Sequence, residues 1–369
     1  MPRSSREAPM YAQIHDYILD GIRAGRWNAG DRLPSENDLA TRFNVSRITI
    51  KKAMDRLEEE GVAYRMQGKG SFVADARSGG KPVLYRSPSA NADRDGLVAL
   101  ILPRVDNRFT SNLLKGVEAV LDEAGCRVLL CSAHDSPDRE RMLLQEAVRL
   151  GVGGIIVYPA DGERYNEEIL RLTLADFPIV VIDRYLKGVE TSCVCSDHRG
   201  GARQAVTHLL DLGHRRIAFL STRPEGTTSL EDRLAGYEEA LADRGVLPER
   251  GNLLFDMSEE AVHAFLRERP DATAVFATHY VIGLRAMAAA RRLGRRVPDD
   301  LSVVCFDDYE YSDLSVVPPT CVVQQEERIG REAASLALAR MRDRALPRSK
   351  LVLPTELVVR ASTAPPPVR

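Results

Sequence analysis

At 369 residues the chain is too long for one compact core, so two or three folding units are expected. Its 44% hydrophobic and 28% charged composition is that of an ordinary globular protein, and a net charge of −2 does not announce a nucleic-acid partner. The polar start, Met1 to Glu7, is no signal peptide, and no apolar run reaches the roughly 18 to 20 residues of a membrane span, so a cytoplasmic protein without membrane contact is expected. The six cysteines form no Cys-x-x-Cys pair and read as reduced, buried thiols. Cys193, Cys195 and His198 match the spacing of no usual zinc site, so neither a metal nor a cofactor is expected.

Residues 1–75 carry dense helical patterning. Tyr11, Ile14, Tyr17, Ile18 and Ile22 recur at helical spacing and give a first helix ending near Gly25. Ser35 and Asp38 have the spacing of a capping box for a second helix, with Leu39, Ala40 and Phe43 on its apolar face. Asn44 and Val45 make a tight turn, and Ser46 caps a third helix whose inward face is Ile50, Ala53, Met54 and Leu57. Two short helices so joined form a helix-turn-helix, whose second member enters the major groove. From Arg42 to Arg56 there are five bases (Arg42, Arg47, Lys51, Lys52, Arg56) against the single acid Asp55, a local basic segment in a neutral domain. Arg47 and Lys51 project from the half of the third helix that carries the positive dipole end. Arg47 is the expected base reader, since a guanidinium can make a bidentate contact to guanine, and Lys51 the phosphate or second base contact. Val62–Arg65 and Ser71–Val73 bracket Gln67-Gly68-Lys69-Gly70 as a two-stranded wing, with Lys69 a sequence-independent phosphate contact.

Residues 76–95, rich in Gly, Ser, Pro and charge, read as a flexible linker. Residues 96–363 alternate apolar runs with amphipathic stretches, the pattern of parallel βαβ units. Strands are expected at Val98–Leu102, Arg127–Cys131, Gly154–Tyr158, Ile179–Asp183, Ile217–Ser221, Ala274–Ala277 and Ser302–Asp307. The proline-rich tail 364–369 is expected to be disordered. Polar residues just after strands, Asp183-Arg184 and Asp307-Asp308, stand where a two-lobed α/β domain binds ligand, and carboxylate and guanidinium groups suit adjacent hydroxyls of a sugar. An Asp at a strand end serves as often as a cap or turn residue, so these residues alone leave the question open.

The head resembles the GntR family through Tyr11-Ala12-Gln13-Ile14, Leu33-Pro34-Ser35-Glu36, Phe43-Asn44-Val45-Ser46-Arg47, Thr49, Glu60-Gly61, Gly68-Lys69-Gly70 and Phe72-Val73. The resemblance implies DNA contacts from Glu36 or Asn37, Ser46, Arg47, Thr49, Lys51, Gln67 and Gly68. The body is similar to LacI/GalR-type effector domains, themselves similar to periplasmic sugar-binding proteins. It matches at Lys115-Gly116-Val117-Glu118, Val181-Ile182-Asp183-Arg184, Ser196-Asp197-His198-Arg199-Gly200-Gly201, Arg233 with Gly236-Tyr237, and Phe306-Asp307-Asp308. A GntR head on such a body is the arrangement of the arabinose-repressor subfamily. It implies effector contacts at Asp183, Arg184, Arg233 and Asp307, and in the loop from Arg104 to Thr110, with Arg104 and Phe109 the candidates. Two departures stand out: His279 replaces a common hydroxyl-binding Asn, and Cys305 replaces the glycine before Phe-Asp-Asp, both expected to touch or border the pocket.

The expected architecture is α/β overall: an N-terminal winged helix-turn-helix (α+β) followed by a two-lobed, doubly wound parallel α/β domain. The expected function is a dimeric, non-enzymatic DNA-binding regulator, a repressor of operator DNA controlled by a small carbohydrate effector. The alternative is a ligand-independent regulator whose C-terminal domain is only a dimerising scaffold. Against an enzyme, the chain has no Gly-x-Gly-x-x-Gly after a strand, no P-loop and no Gly-x-Ser-x-Gly elbow.

Overall fold

Ile14 and Ile18 lie one turn apart and are both fully buried, which fixes the inward face of α1 (Met10–Arg23). Ser35 caps α2 (Glu36–Phe43): its Oγ accepts the Asp38 N–H at 3.2 Å and the Asp38 carboxylate accepts the Ser35 N–H at 3.1 Å. Such a cap stabilises a helix start by about 1 kcal/mol. Asn44, with a φ of 49°, turns the chain, and Ser46 caps α3 (Arg47–Glu59). Ile50, Ala53, Met54 and Leu57 of α3 close on Ile14, Ile18 and Leu39 to form the core of this unit. Strands β1 (Ala63–Met66) and β2 (Gly70–Val73) pair antiparallel, Ala63 opposite Val73 and Met66 opposite Gly70. The computed structural model describes residues 10–27, 31–60, 62–66, 70–73, 96–160 and 166–367. It forms two units, Met1–Ser89 and Ala90–Arg369. The linker expected at 76–95 lies outside the described residues, as do Gln67, Gly68 and Lys69.

The second unit holds two six-stranded sheets. Lobe 1 is built from β3 (Leu97–Leu102), β4 (Arg127–Ser132), β5 (Gly154–Val157), β6 (Ile179–Ile182), β7 (Cys193–Ser196) and β13 (Lys350–Leu353), in the order β13-β7-β6-β5-β3-β4. Lobe 2 is built from β8 (Ile217–Leu220), β9 (Leu253–Leu254), β10 (Ala274–Ala277), β11 (Ser302–Phe306), β12 (Thr320–Val323) and β14 (Glu356–Val358), in the order β14-β12-β11-β10-β8-β9. All neighbours in lobe 1 are parallel, and in lobe 2 only β14 runs antiparallel. The seven expected strands are present within about a residue at each end. The short strands β7, β9, β12, β13 and β14 were not anticipated.

Helices α4 (Arg108–Glu123), α5 (Pro137–Leu150), α6 (Glu167–Leu174) and α11 (Glu326–Arg342) belong to lobe 1. Helices α7 (His198–Asp211), α8 (Thr228–Asp243), α9 (Glu259–Glu268) and α10 (Tyr280–Arg292) belong to lobe 2. The chain therefore crosses between lobes at Asp197, at Gln324-Gln325 and at Pro354-Thr355. Each lobe locks one helix pair through glycine. A Cβ on Gly116 of α4 would stand 2.0 Å from the Glu327 carbonyl oxygen of α11, and one on Gly236 of α8 2.2 Å from the Arg199 carbonyl oxygen of α7. The glycines of the Lys115-Gly116-Val117-Glu118 and Gly236-Tyr237 matches thus mark backbone contacts.

The expectation of a disordered tail from residue 364 is corrected for the described part. The Ala364 carbonyl oxygen lies 2.9 Å from His214 Nε2, the Ala364 N–H donates to Ser302 Oγ at 3.0 Å, and the Ser362 hydroxyl donates to the Val303 carbonyl at 2.5 Å. Buried His214 and Ser302 need partners, and the tail backbone supplies them. Among the described residues no helix is long and apolar enough to cross a membrane.

Candidate functional site

In the first unit, burial of Ile50, Ala53, Met54 and Leu57 leaves Arg47, Lys51 and Lys52 of α3 exposed on the other side, with Asn37 exposed on α2. Lys52 Nζ sits 4.4 Å from the centre of the Tyr11 ring, and the Arg42 guanidinium 4.6 Å from that of Tyr17, so aromatic faces of α1 hold both cations in place. Ser46 and Thr49 act on each other: their hydroxyl oxygens lie 3.0 Å apart and the Thr49 N–H donates to Ser46 Oγ. Both were expected to face DNA, and both build the start of α3. Glu36 is likewise engaged. Arg65 of β1 donates to Glu36 at 2.9 Å and to Asp55 at 2.9 Å, with Glu58 3.6 Å away. This four-residue ion cluster ties the wing to both helices, and nothing in the spacing of Arg65 announced it.

In the second unit the strand ends converge on a buried polar chain. Asp183 follows β6 with a φ of 64° and Asp307 follows β11 with a φ of 67°. His198, in the first turn of α7, places Nε2 3.1 Å from the Asp183 carbonyl oxygen and 3.3 Å from its Oδ1. Arg233 of α8 donates from Nη2 to His198 Nδ1 at 3.3 Å and from Nη1 to the Thr278 carbonyl at 2.5 Å. A guanidinium only donates, so His198 Nδ1 must accept and its ring proton sits on Nε2, facing Asp183. Arg233 Nη1 also lies 3.8 Å from Asp307 Oδ2, and its guanidinium covers the Phe306 ring at 3.7 Å. Gln324, at a crossing between lobes, donates to Asp307 Oδ1 at 2.6 Å.

All five residues are buried: Asp183, His198, Arg233, Asp307 and Gln324. The chain Asp183–His198–Arg233–Asp307–Gln324 therefore runs from lobe 1 into lobe 2 and back to the hinge. Burial alone would push the Asp183 carboxyl up, but the His198 ring, then Arg184 and Arg233, outweigh it and hold it below the usual carboxylate range. Arg233 Nε, Gln324 Oε1 and Asp183 Oδ1, one donor and two acceptors, are buried with no hydrogen-bond partner among the described residues.

The other expected contacts divide. Arg184 donates to the Pro159 carbonyl at 2.5 Å and stacks on Tyr158, which in turn packs on Phe109. The three line one lobe 1 wall beside Asp183. Arg104 is not brought in: it pairs with Asp135 and is 61% exposed. His279 is the N-cap of α10, its Nδ1 accepting the Val281 N–H at 3.3 Å. Cys305 does not border the cleft, contrary to expectation. It faces away from it because side chains alternate along β11, so Phe306 joins the α7–α8 core while Cys305 fills the notch over Gly283 of α10. Asp308 turns to Arg360, at 2.9 Å, and to Arg108 across the lobes, at 3.2 Å. Burial opposes its ionisation, and the Arg360 pair overrides that and lowers its carboxyl.

Sequence reasoning missed His198, Gln324 and the stacked pair Tyr280–Tyr309, ring centres 5.4 Å apart. The available signal was position: each follows or immediately opens an element at the strand-end edge of a sheet. A crevice beside Arg184 is lined by Glu140, Asn166, Ile169, Tyr185 and Thr228. Burial pushes the Glu140 carboxyl up while it accepts the Ala160 N–H at 2.7 Å and the Asn166 side chain at 2.8 Å. Cys193 and Cys195 lie on one face of β7, and no metal-holding group of three His, Cys, Asp or Glu occurs among the described residues.

Residues 10–73 match bacterial regulatory proteins of the gntR family, and residues 206–363 match the periplasmic binding protein-like domain. The chain is 30% identical to the arabinose metabolism transcriptional repressor of Geobacillus stearothermophilus, over 96% of this chain and 98% of that protein. It is 30% identical to the ribose operon repressor of Halalkalibacterium halodurans, over 86% of this chain and 92% of that one. Among solved structures it resembles the transcriptional regulator CelR–cellobiose complex, with a TM-score of 0.67 and 27% identity, over 89% of this chain and all of that one. With the winged head, the two crossed lobes and these relatives in hand, the chain belongs to the GntR-type DNA-binding transcription regulators that carry a LacI/GalR-type effector domain, the arabinose-repressor-like subfamily.

Proposed function

We propose that this regulator is a homodimeric repressor whose hold on operator DNA is set by a small carbohydrate bound between the lobes of the second unit. The observation that carries the ligand class is the set of three unspent groups in the buried chain. Arg233 Nε offers a donor, Gln324 Oε1 and Asp183 Oδ1 offer acceptors, and a sugar hydroxyl donates and accepts at once. Asp183, Arg184, Arg233 and Asp307 are the polar contacts of this reading, with Phe109, Tyr158 and the Tyr280–Tyr309 pair as apolar walls for a pyranose or furanose face. His279 serves the cap of α10, and Arg104 stays at the rim. The relatives' printed names, arabinose, ribose and cellobiose, support a saccharide.

Arg47 and Lys51 are the base and phosphate contacts of the head, with Asn37 beside them. Gln67, Gly68 and Lys69 supply the wing in the same reading. The loop after β11 leaves Tyr311, Leu314 and Val316 exposed, an apolar group that supports pairing of two copies. A dimer presents two heads to a two-fold-symmetric site. Sugar binding pulls the lobes together about the three crossings, and the dimer then holds its heads less favourably for the operator. The cell compartment fits this reading: a repressor works in the cytoplasm, beside its DNA.

Titrating the full-length protein with a panel of pentoses, hexoses, their phosphates and disaccharides, read by thermal shift, tests the ligand. One sugar should raise Tm, and Arg233→Ala should lose that rise. If no saccharide raised Tm while the protein still bound DNA, the second unit would be a scaffold for pairing alone.

A further inference from the structure

Ile48 is 80% exposed on the helix that faces DNA. At about 100° per residue it points roughly opposite the mean direction of the buried Ile50, Ala53, Met54 and Leu57, so it is the centre of the outer face of α3. Arg47, Lys51 and Lys52 surround it, all exposed. The acid nearest to it along that face, Asp55, is already paired with Arg65 at 2.9 Å. An apolar side chain thus stands at the tip of a cationic face. The other large apolar side chain exposed among the described residues of this unit is Met10, at 38%. Helix propensity does not account for the choice, since Ile is a middling helix former and Ala, Lys or Gln a better one. Packing does not account for it either, since the core lies on the far side.

The cations fix the partner as a polyanion, and the protruding branched side chain fixes what it meets there. In the major groove one base pair presents an apolar knob, the C5-methyl of thymine, while the other base edges present donors and acceptors. We infer that Ile48 is a specificity-determining residue that reads a thymine methyl in each half-site. This rests on the DNA-binding reading of α3. Arg47 and Lys51 position the helix, and Ile48 excludes water from the methyl and selects against a cytosine, whose C5 carries only hydrogen.

The experiment selects a duplex with the full-length protein from a random-sequence pool, then replaces each thymine of that duplex in turn by deoxyuridine, which removes only the methyl. One thymine per half-site should weaken binding by about fourfold on losing its methyl, the value of roughly one buried CH2 group. Ile48→Ala should bind the thymine and deoxyuridine duplexes equally, and Ile48→Val, which keeps a branched apolar tip, should restore the difference. Ile48→Ala keeps its fold because the side chain touches no core residue and Ala favours helix. If every deoxyuridine duplex weakened Ile48→Ala as much as the unmodified protein, or none weakened either, the inference would be overturned, and Ile48 would face another protein surface. A pool that enriched no duplex at all would overturn the DNA-binding reading itself.

Discussion

Asp183 and Asp307 hold matching places in two sheets of the same strand order. Each follows the third strand in that order, each has a positive φ, and each amide donates at 2.9 Å to the neighbouring strand, Asp183 to the Val194 carbonyl and Asp307 to that of Val322. Their surroundings differ. Asp183 is enclosed by Arg184 of its own lobe and His198 of lobe 2, while Asp307 is held by Gln324 of a crossing and approached by Arg233 of its own lobe. A left-handed backbone is strained for most residues but tolerated by Asp, so the strand ends share one backbone solution. What differs is the use made of it. The lobe 1 carboxylate sits beside His198 and Arg184, and the lobe 2 carboxylate accepts a hydrogen bond from Gln324 at a crossing between the lobes.

That contrast yields unequal mutational costs. Asp183→Ala leaves His198 and two guanidinium groups around an uncompensated buried site and should destabilise the protein by about 3 to 5 kcal/mol, read by denaturant unfolding. Asp307→Ala removes one hydrogen bond from the neutral Gln324 amide and a guanidinium 3.8 Å away, and should cost about 1 to 3 kcal/mol, with sugar response lost and DNA binding without sugar retained. Equal losses at the two positions would erase the distinction.

The glycine contacts test whether the lobes are equally locked. Gly116→Ala and Gly236→Ala each drive a methyl into a backbone carbonyl of a partner helix and should cost about 1 to 3 kcal/mol apiece. A neutral result at one position would show that its helix pair can slide.

Acid sharpens the comparison again. The His214 and His208 rings, both in lobe 2, are held below their ordinary value of about 6.5 by burial. The unfolded chain binds those protons first, so their contribution is present above pH 6.5 and falls as pH drops below it. The Asp183 carboxyl is also depressed, so its contribution is present above its ordinary value of about 4 and is lost only as pH falls below that. Stability measured from pH 7 to 3 should fall in two stages, and His214→Gln should shrink the first. A single loss below pH 4 would contradict the assignment for lobe 2.

Much of this was legible because local chemistry sufficed. The Ser35–Asp38 box, the Asn44 turn and the core of α3 follow from spacing alone, and the long apolar runs gave seven strands their places. The short strands escaped notice for physical reasons. β12 offers only Cys321, Val322 and Val323 behind Pro318-Pro319, and β13 only Leu351, Val352 and Leu353 with three of its four residues exposed, so each apolar run is three residues long and too short to mark a strand. Which sheet each strand joins is set by α11 packing back on α4, a contact no local pattern encodes. The cleft was legible in part: Asp183, Arg233 and Asp307 do meet. His198 was hidden because its role depends on Arg233, 35 residues away. Cys305 was misplaced because its side chain obeys strand alternation rather than nearness in sequence to Asp307.

The head is tested on DNA affinity rather than on stability. Arg47→Ala should cost about 1 to 3 kcal/mol, concentrated at one base position, and Lys69→Ala should weaken all duplexes alike and reduce the salt slope. Equal loss for Arg47→Ala on selected and random DNA would remove it as a base reader.

The most direct test of the account is reciprocity between its two ends. The sugar found by thermal shift is titrated calorimetrically into the full-length protein, alone and with the selected duplex bound. Linkage requires the duplex to weaken sugar binding by the same factor by which the sugar weakens duplex binding, about 5- to 150-fold for a coupling of about 1 to 3 kcal/mol. Identical sugar affinity with and without the duplex would contradict the claim that the cleft controls the head.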